Sequence, residues 1–369
     1  MKVICDREKL LHTFQTAASV APSRSPKPIL QNVKMEATGD GVTILATDLE
    51  IGIRMELTGF EVEAPGPVVL PIGRFGSILR ECTDEKLQID SDGSRTRVSS
   101  RSSEFHLPTE NPDEFPEIES FREEKYHKLA ARFFRELVRR TTFATENESG
   151  RYALGGVLIE LTANQILGVG TDGRRLARQQ GPAEAVNGHE SRENTIIPAR
   201  AMLLLEKAIA DNDEDIWITA RENNVLVRSQ RTTVFTRLVE GRFPKWRDVF
   251  PRTDQMTAIE MTVGPMYAAV RQAAIVTSEN HRGVDFTFAD GKVCMAAHGA
   301  EYGEARVELP IAYDGAEIGV TLDPRFIIDF LRVLDAERTF TWYVRGAGTP
   351  VVASTDDGYS YVIMPLARD

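Results

Sequence analysis

Val68-Val69-Leu70-Pro71 is a short apolar strand that ends in proline and runs into an apolar helix. The same plan returns at Thr195-Ile196-Ile197-Pro198 and again at Gly319-Val320-Thr321-Leu322-Asp323-Pro324. The three prolines are 127 and 126 residues apart. Proline fits the first turn of a helix, because its missing N–H would have no partner there. In a chain of 369 residues this spacing predicts three copies of one structural unit.

Two further markers recur at a similar distance. Phe115-Pro116 and Phe243-Pro244 are 128 residues apart, and the strands that end in Thr47-Asp48 and Thr171-Asp172 are 124 residues apart. Each copy reads as helix, strands, helix, strands, with short turns between consecutive strands, which favours an antiparallel α+β fold. Three unrelated domains of similar size would not share these markers. The predicted domains are residues 1–123, 124–252 and 253–369.

Charge is distributed unevenly along the chain. The net charge of −11 argues, taken alone, against a nucleic-acid-binding protein. Six predicted helix windows nevertheless contain 15 Lys and Arg against 5 Asp and Glu. The rest of the sequence contains 29 Lys and Arg against 50 Asp and Glu. These windows are residues 7–20, 72–83, 125–143, 199–210, 264–276 and 324–334. Basic helices in an acidic chain suit a partner with evenly spaced phosphates that is bound without regard to sequence.

The third window shows how such a surface could be built. Lys128, Arg132, Arg135 and Arg139 follow one another at spacings of 4, 3 and 4, which places them on one face of a helix. The apolar residues of the window lie on the other face, where they can pack on a sheet. A solvated basic face is the alternative for any single helix of this kind. The repetition over six windows favours phosphate binding.

Catalytic motifs are absent from the sequence. Residues 168–173 match the dinucleotide pattern G-x-G-x-x-G, but the next residues read as a second strand, so Asp172-Gly173 is predicted to be a hairpin turn. The six histidines and three cysteines have no metal-site or disulfide spacing. No apolar run has the length of a membrane span. We therefore expect a binding protein without catalytic residues, metal or cofactor.

Five segments together resemble the bacterial DNA polymerase III beta subunit, the sliding clamp, along the whole chain. They are residues 28–33 (PILQNV), 46–50 (ATDLE), 171–177 (TDGRRLA), 240–244 (EGRFP) and 361–366 (YVIMPL). The resemblance implies three clamp domains per chain, with antiparallel sheets outside and helices inside, and a head-to-tail homodimer that closes as a ring. It also explains the charge pattern, because the helices would face enclosed double-stranded DNA.

The resemblance further implies a partner pocket between the second and third domains, which receives short hydrophobic peptide motifs. Its expected partners are the polymerase III alpha subunit, the clamp loader delta subunit, and other polymerases and repair proteins. At one position, Arg174, the family often has histidine. By position the partner pocket consists of Leu154, Thr171, Gly173, Arg174, Arg175, Leu176, Pro244, Val249, Phe326, Val362, Met364, Pro365 and Leu366.

Two other sets of residues carry over from the family. In the dimer, Phe105 and Leu107 are expected to face Ile275 and Val276 of the partner subunit. Packing within one chain is the alternative for these dimer residues, and also for Leu154, Leu176 and Val362 of the partner pocket. The expected DNA contacts, including the basic residues of the third window, are Arg24, Arg74, Arg80, Arg132, Arg135, Arg139, Arg151, Tyr152 and Arg200.

The expected function is that of a ring-shaped processivity factor in bacterial DNA replication, non-enzymatic, cytoplasmic and nucleoid-associated. Three alternatives stay open. The chain could be a clamp paralogue without a replicative role, an acidic repeat scaffold that binds proteins only, or an α+β hydrolase with a site at a domain interface. The scaffold predicts no retention on DNA, and the hydrolase predicts a cleft with a cluster of shifted ionisable groups.

Overall fold

The computed structural model describes residues 1–39, 41–146, 153–209, 214–279, 281–299 and 302–367. The three strands that lead into a helix are confirmed, and the helices begin at Ile72, Ala199 and Pro324. The α-helices of the described residues are α1 (Arg7–Ala18), α2 (Ile72–Glu81), α3 (Ala131–Thr141), α4 (Ala199–Ala208), α5 (Trp246–Val249), α6 (Val263–Ala273) and α7 (Pro324–Arg332).

The chain divides into two compact units. Unit 1 comprises residues 1–135, 161–164 and 183–238, and unit 2 comprises residues 136–160, 165–182 and 239–369. The domain boundaries near residues 123 and 252 stay a prediction.

Unit 1 contains two sheets. One has the strand order β5-β1-β7-β8-β9, and the other has the order β14-β10-β16-β17-β18-β4-β3-β2-β6. All strand pairs described in both sheets are antiparallel, as the sequence predicts. The strands are β1 (Lys2–Asp6), β2 (Asn32–Thr38), β3 (Gly41–Thr47), β4 (Ile51–Leu57), β5 (Glu61–Ala64), β6 (Gly66–Pro71), β7 (Lys86–Ser91), β8 (Arg95–Ser99), β9 (Glu104–Pro108), β10 (Tyr126–Ala130), β14 (Glu184–Val186), β16 (Asp215–Ala220), β17 (Asn224–Arg228) and β18 (Thr232–Arg237); the short β15 (Ile196–Pro198) precedes α4.

Unit 2 also contains strands of two sheets. One sheet contains the run β11-β12-β13-β26-β25-β24-β19, and the other has the order β22-β21-β20-β23. In its core Phe330 stacks on Tyr359 and on Tyr361, and Phe340 contacts both Phe330 and the buried Trp342. The strands are β11 (Gly156–Thr162), β12 (Gln165–Thr171), β13 (Arg175–Pro182), β19 (Thr257–Thr262), β20 (Val284–Ala289), β21 (Lys292–Gly299), β22 (Gly303–Pro310), β23 (Ile318–Leu322), β24 (Thr339–Val344), β25 (Val351–Ser354) and β26 (Tyr359–Ile363).

One predicted helix begins later than the sequence suggests. The window 125–143 was expected to be helical throughout, but Tyr126–Ala130 is strand β10, and the helix starts at Ala131. β10 pairs with β14 on one side and β16 on the other, so tertiary pairing overrides the helical spacing. Lys128 therefore lies on a strand and not with the helical arginines, and its ammonium pairs with Asp215 at 2.8 Å.

Candidate functional site

The centre of the expected partner pocket is the turn between β12 and β13. Asp172 accepts hydrogen bonds from the N–H groups of Arg174 and Arg175, at 2.9 and 3.0 Å. The hydroxyl of Thr171 donates to the carbonyl of Arg175 at 2.6 Å. Gly173 has φ +85°, a left-handed conformation that favours glycine. The turn joins two antiparallel strands, so the prediction of a hairpin in place of a dinucleotide-binding loop is confirmed.

The segment that follows β26 lies against this hairpin. Leu176 pairs with Val362 between β13 and β26, and the N–H of Met364 donates to the carbonyl of Arg174 at 2.9 Å. The N–H of Leu366 donates to the carbonyl of Thr321 at 2.9 Å. The backbone is thereby held on two sides, while the side chain of Met364 remains 46% exposed. A fixed backbone with an exposed thioether is suited to contact an apolar ligand.

Arg175 connects the hairpin to α7. Its guanidinium donates to Asp329 at 2.7 Å and to Asp172 at 3.0 Å, and a third N–H donates to the carbonyl of Phe143 at 2.8 Å. The guanidinium also lies 4.7 Å from the ring centre of Phe326. These contacts fix the aromatic ring beside the hairpin. A cavity of about 530 Å³ opens there, lined by Thr145, Glu146, Asp172, Arg174, Arg175, Arg325, Phe326 and Asp329.

The α5 segment lies next to β13 and carries Val249. Arg178 on β13 is placed 5.6 Å from the ring centres of both Trp246 and Phe250. Glu160 accepts hydrogen bonds from the Trp246 indole at 3.3 Å and from Arg247 at 2.8 Å. Burial raises the pKa of Glu160, but the bonds from Arg247 and Trp246 outweigh it, and the net pKa is lowered. On this fixed platform the side chain of Val249 is 66% exposed.

The structure thus brings most expected pocket residues together within unit 2. The hairpin, the end of β26 and Phe326 are joined by direct contacts, and Arg178 places the segment with Pro244 and Val249 beside β13. Leu154, Leu176 and Val362 are buried, which agrees with the alternative of packing within the chain. The cavity is lined mainly by polar and charged side chains, with Phe326 as its apolar member, and Met364 and Val249 add exposed apolar groups outside that lining.

The expected DNA-contacting arginines differ in their surroundings. Arg135 donates to the carbonyl of Ile209 at 2.7 Å, and Arg200 contacts Asp48 and the carbonyl of Val20, so both already have partners in the chain. Arg151 and Tyr152 lie outside the described residues. Arg80 donates to the Ser77 hydroxyl at 3.2 Å. The exposed members of the set, Arg200 included, are Arg24, Arg74, Arg80, Arg132, Arg139 and Arg200.

The expected dimer residues lie on an edge strand and a helix end. β9 is an outer strand of its sheet, with Phe105 37% exposed and Leu107 buried. Ile275 and Val276 lie in a 3-10 turn after α6, where Ile275 is 75% exposed and Val276 is half-buried. The packing of Leu107 within its own chain leaves Phe105 and Ile275 as the more accessible apolar groups.

Sequence reasoning missed several residues that shape the pocket. Asp329 holds Arg175, Glu160 holds the α5 segment, and Glu146 and Arg325 line the cavity. A signal was present for Asp329, since it is an acidic residue inside the otherwise apolar helical run Phe326 to Leu331. Glu160 has no local signal, because its partners Trp246 and Arg247 are distant in sequence.

No three His, Cys, Asp or Glu side chains within the described ranges are grouped so that they could hold a metal ion. Among the described helices, none combines the length and apolar character needed to cross a membrane.

Comparison with known families assigns all three parts of the chain. Models of the N-terminal, central and C-terminal domains of the DNA polymerase III beta subunit match residues 1–119, 128–245 and 247–367. The chain therefore belongs to the family of bacterial DNA polymerase III beta subunits, the beta sliding clamps. This family consists of non-catalytic processivity factors with DNA and polymerase partners, and its members dimerise.

Individual relatives agree over their whole length. The beta sliding clamp of Chlamydia pneumoniae is 28% identical over 367 residues, which cover 99% of each chain. The sliding clamp structure from Bacillus subtilis has a TM-score of 0.90 at 24% identity, with both chains fully covered. The Pseudomonas aeruginosa clamp bound to griselimycin gives the same TM-score, identity and coverage. Three matched clamp domains, antiparallel sheets in this chain and the likeness to solved clamps confirm the predicted fold class.

Proposed function

We propose that this chain is a replicative sliding clamp that closes as a homodimeric ring around double-stranded DNA and tethers the polymerase. Two copies supply the ring, and enclosure keeps the ring on DNA without sequence preference. The polymerase III alpha subunit, the clamp loader delta subunit, and other polymerases and repair proteins take turns at the partner pocket. The protein acts in the cytoplasm, in association with the nucleoid. The grouping of the pocket residues around the hairpin Thr171–Leu176 carries this proposal.

The pocket is suited to a short hydrophobic peptide. Met364 and Val249 offer exposed apolar groups, while the backbone bonds of Met364 and Leu366 keep the surface in place before a ligand arrives. A preorganised surface loses little conformational entropy on binding, so a peptide of a few residues can bind with useful affinity. Arg174 adds a permanent positive charge at the edge, where the family often has histidine.

The proposed dimer uses edge-strand addition. β9 ends its sheet on one side, and an edge strand presents unpaired backbone groups to a second chain. Phe105, which lies on β9, would be covered by Ile275 and Val276 of the partner subunit. A head-to-tail contact of this kind closes into a ring when the rotation between subunits is right.

Replacement of two pocket residues tests the proposal. Met364→Ala combined with Leu366→Ala removes apolar contact area, and we expect the affinity for a fluorescein-labelled peptide from the polymerase III alpha subunit to fall about tenfold or more. Fluorescence anisotropy measures this affinity.

The matched control is Leu203→Ala on α4, which removes a side chain that is 55% exposed but lies in unit 1. It should leave the peptide affinity unchanged. Equal affinity of the double variant and the wild-type protein would refute the pocket assignment.

A further inference from the structure

Two buried histidines of unit 1 face each other directly. The Nδ1 atoms of His127 on β10 and His189, just after β14, are 2.7 Å apart, and both side chains are buried. Nε2 of His127 is 2.6 Å from the carbonyl of Thr162. Nε2 of His189 is 3.1 Å from the N–H of Ala220, with the Ala220 carbonyl at 3.4 Å and the Thr219 hydroxyl at 3.5 Å.

These contacts determine where the protons lie. The N–H of Ala220 donates to Nε2 of His189, so that nitrogen is unprotonated and the ring proton is on Nδ1. Nδ1–H of His189 then donates to Nδ1 of His127, whose own proton must be on Nε2, where it donates to the Thr162 carbonyl. Both rings are neutral in this arrangement. A further proton on either ring places two N–H groups against each other.

The surrounding charges do not offset the cost of a buried imidazolium. Glu190 favours protonation of His127, and Glu123 favours protonation of His189, whereas Lys125 opposes it. Burial is nevertheless the largest influence on each ring and lowers the pKa of both histidines. The two rings therefore take up protons only after the pair has opened.

The pair is connected to the segment at the predicted boundary between the first two domains, residues 119–124. Ala220, which is bonded to His189, is followed by Arg221, whose guanidinium pairs with Glu119 at 2.8 Å and also with Glu123. The side chain of Asn187, two residues before His189, donates to the carbonyl of Glu124 at 2.7 Å. These two polar attachments of residues 119–124 begin next to the histidine pair, whereas Ile118 is held separately in a buried apolar cluster.

We propose that the His127–His189 pair is an acid-sensitive joint that holds the connecting segment 119–124 against the central part of unit 1. While both rings are neutral, Ala220 and Asn187 are fixed and the segment is attached through Glu119, Glu123 and Glu124. In the opened state the Nδ1–H···Nδ1 bond and the bond from Ala220 are broken and the segment is released; low pH favours this state because its free rings take up protons. This inference does not depend on the proposed function.

The direction of the pH effect follows from linkage. The joint is fully stabilised above the ordinary histidine pKa of about 6.5, and stability is lost as pH falls below it, because the opened state takes up protons that the closed state cannot accept. If both rings stay neutral when closed, the opening equilibrium increases about 100-fold between pH 7.5 and 5.5.

Selective ¹⁵N labelling of the six histidines tests the proton positions in the wild-type protein. At neutral pH we expect one ring with the proton on Nδ1, assigned to His189 by its loss in His189→Gln, and His127 with the proton on Nε2. Both rings protonated on Nε2, or either ring charged at pH 7.5, would overturn the proposal.

Hydrogen exchange tests the release. After correction for the intrinsic pH dependence, amides of residues 119–124 and 216–222 should lose about 100-fold of their protection between pH 7.5 and 5.5. The double variant His127→Gln, His189→Gln retains hydrogen-bonding groups without titration and should lose this dependence, whereas His12→Gln, at an exposed position, should keep it. No acid-dependent loss in the wild-type protein, or the same loss in the double variant, would contradict the joint.

Discussion

Two glycines of β12, Gly168 and Gly170, determine how closely a helix packs on this strand. A Cβ atom at Gly170 would lie 2.2 Å from the carbonyl oxygen of Thr141, and one at Gly168 would lie 2.7 Å from the side chain of Leu137. Both glycines therefore allow the end of α3 to approach the strand closely. The formal G-x-G-x-x-G pattern has a physical explanation that involves no nucleotide: two glycines admit a helix, and Gly173 makes the turn.

Gly170→Ala should destabilise the fold strongly. The added methyl group would meet backbone atoms that cannot move away on their own, so we expect a loss of about 1–3 kcal/mol in the free energy of unfolding. Gly348→Ala is the control, because its Cβ would meet nothing within 4 Å. Thermal unfolding compares the two variants, and equal midpoints would show that α3 does not approach β12 in this way.

At the scale of elements, two consecutive arginines of α3 differ in burial and in role. Arg139 is exposed, while Arg140 is buried and donates to Asp357 at 2.7 Å and to Gln179 at 2.8 Å. Glu136 and the ring of Tyr359 complete its surroundings. A buried guanidinium needs such partners, because an unpaired charge inside a protein is costly. Arg140 therefore attaches α3 to the turn before β26.

Asp357→Ala should cost about 2 kcal/mol, since Arg140 would lose one carboxylate while it stays buried. Asp356→Ala, which removes a 91% exposed side chain paired with Arg338, should cost less than about 1 kcal/mol. Urea denaturation measures both losses. A larger effect at Asp356 would contradict the role assigned to Arg140.

The pH dependence of the same contact gives a second readout. Burial raises the pKa of Asp357, but the hydrogen bonds from Thr355 and Arg140 lower it more, so the net pKa lies below its ordinary value. Its stabilisation is therefore present above about pH 4 and is lost as pH falls toward the folded-state pKa. The difference between wild type and Asp357→Ala should shrink in that acid range.

The sequence predicted the secondary-structure elements better than the contacts and burial of individual side chains. The three strand-to-helix transitions could be predicted because proline and apolar periodicity act locally. The start of α3 could not, since β10 is a strand only through its pairing with β14 and β16. Arg140 was counted among the surface charges, because its burial depends on Asp357, more than 200 residues away. The pocket residues came from family resemblance, and their grouping became visible only in the fold.

At the scale of the whole molecule, the contrast in charge survives the correction of the helix boundaries. The six longest described helices, α1 to α4, α6 and α7, contain 13 Lys and Arg against 5 Asp and Glu. The rest of the sequence contains 31 Lys and Arg against 50 Asp and Glu. Weakly basic helices attract phosphates, while the acidic remainder disfavours other contacts with nucleic acid. A ring that must slide needs attraction without tight binding.

Charge reversal on α3 tests this distribution. Arg132→Glu combined with Arg139→Glu should weaken non-specific DNA binding and lower the slope of log affinity against log salt by about 2. Arg135 is left unchanged because it bonds the carbonyl of Ile209. The control, Arg101→Glu with Arg345→Glu, changes the net charge equally at other exposed positions. The same loss of affinity in both variants would mean that only net charge matters.

The central claim is that the protein stays on DNA by enclosing it. Retention on a circular plasmid, compared with the same plasmid linearised, tests this claim directly after loading by the cognate clamp loader and gel filtration. Enclosure predicts retention on the circle and loss from the ends of the linear form. Equal behaviour on both would contradict the clamp and favour a scaffold that binds proteins only.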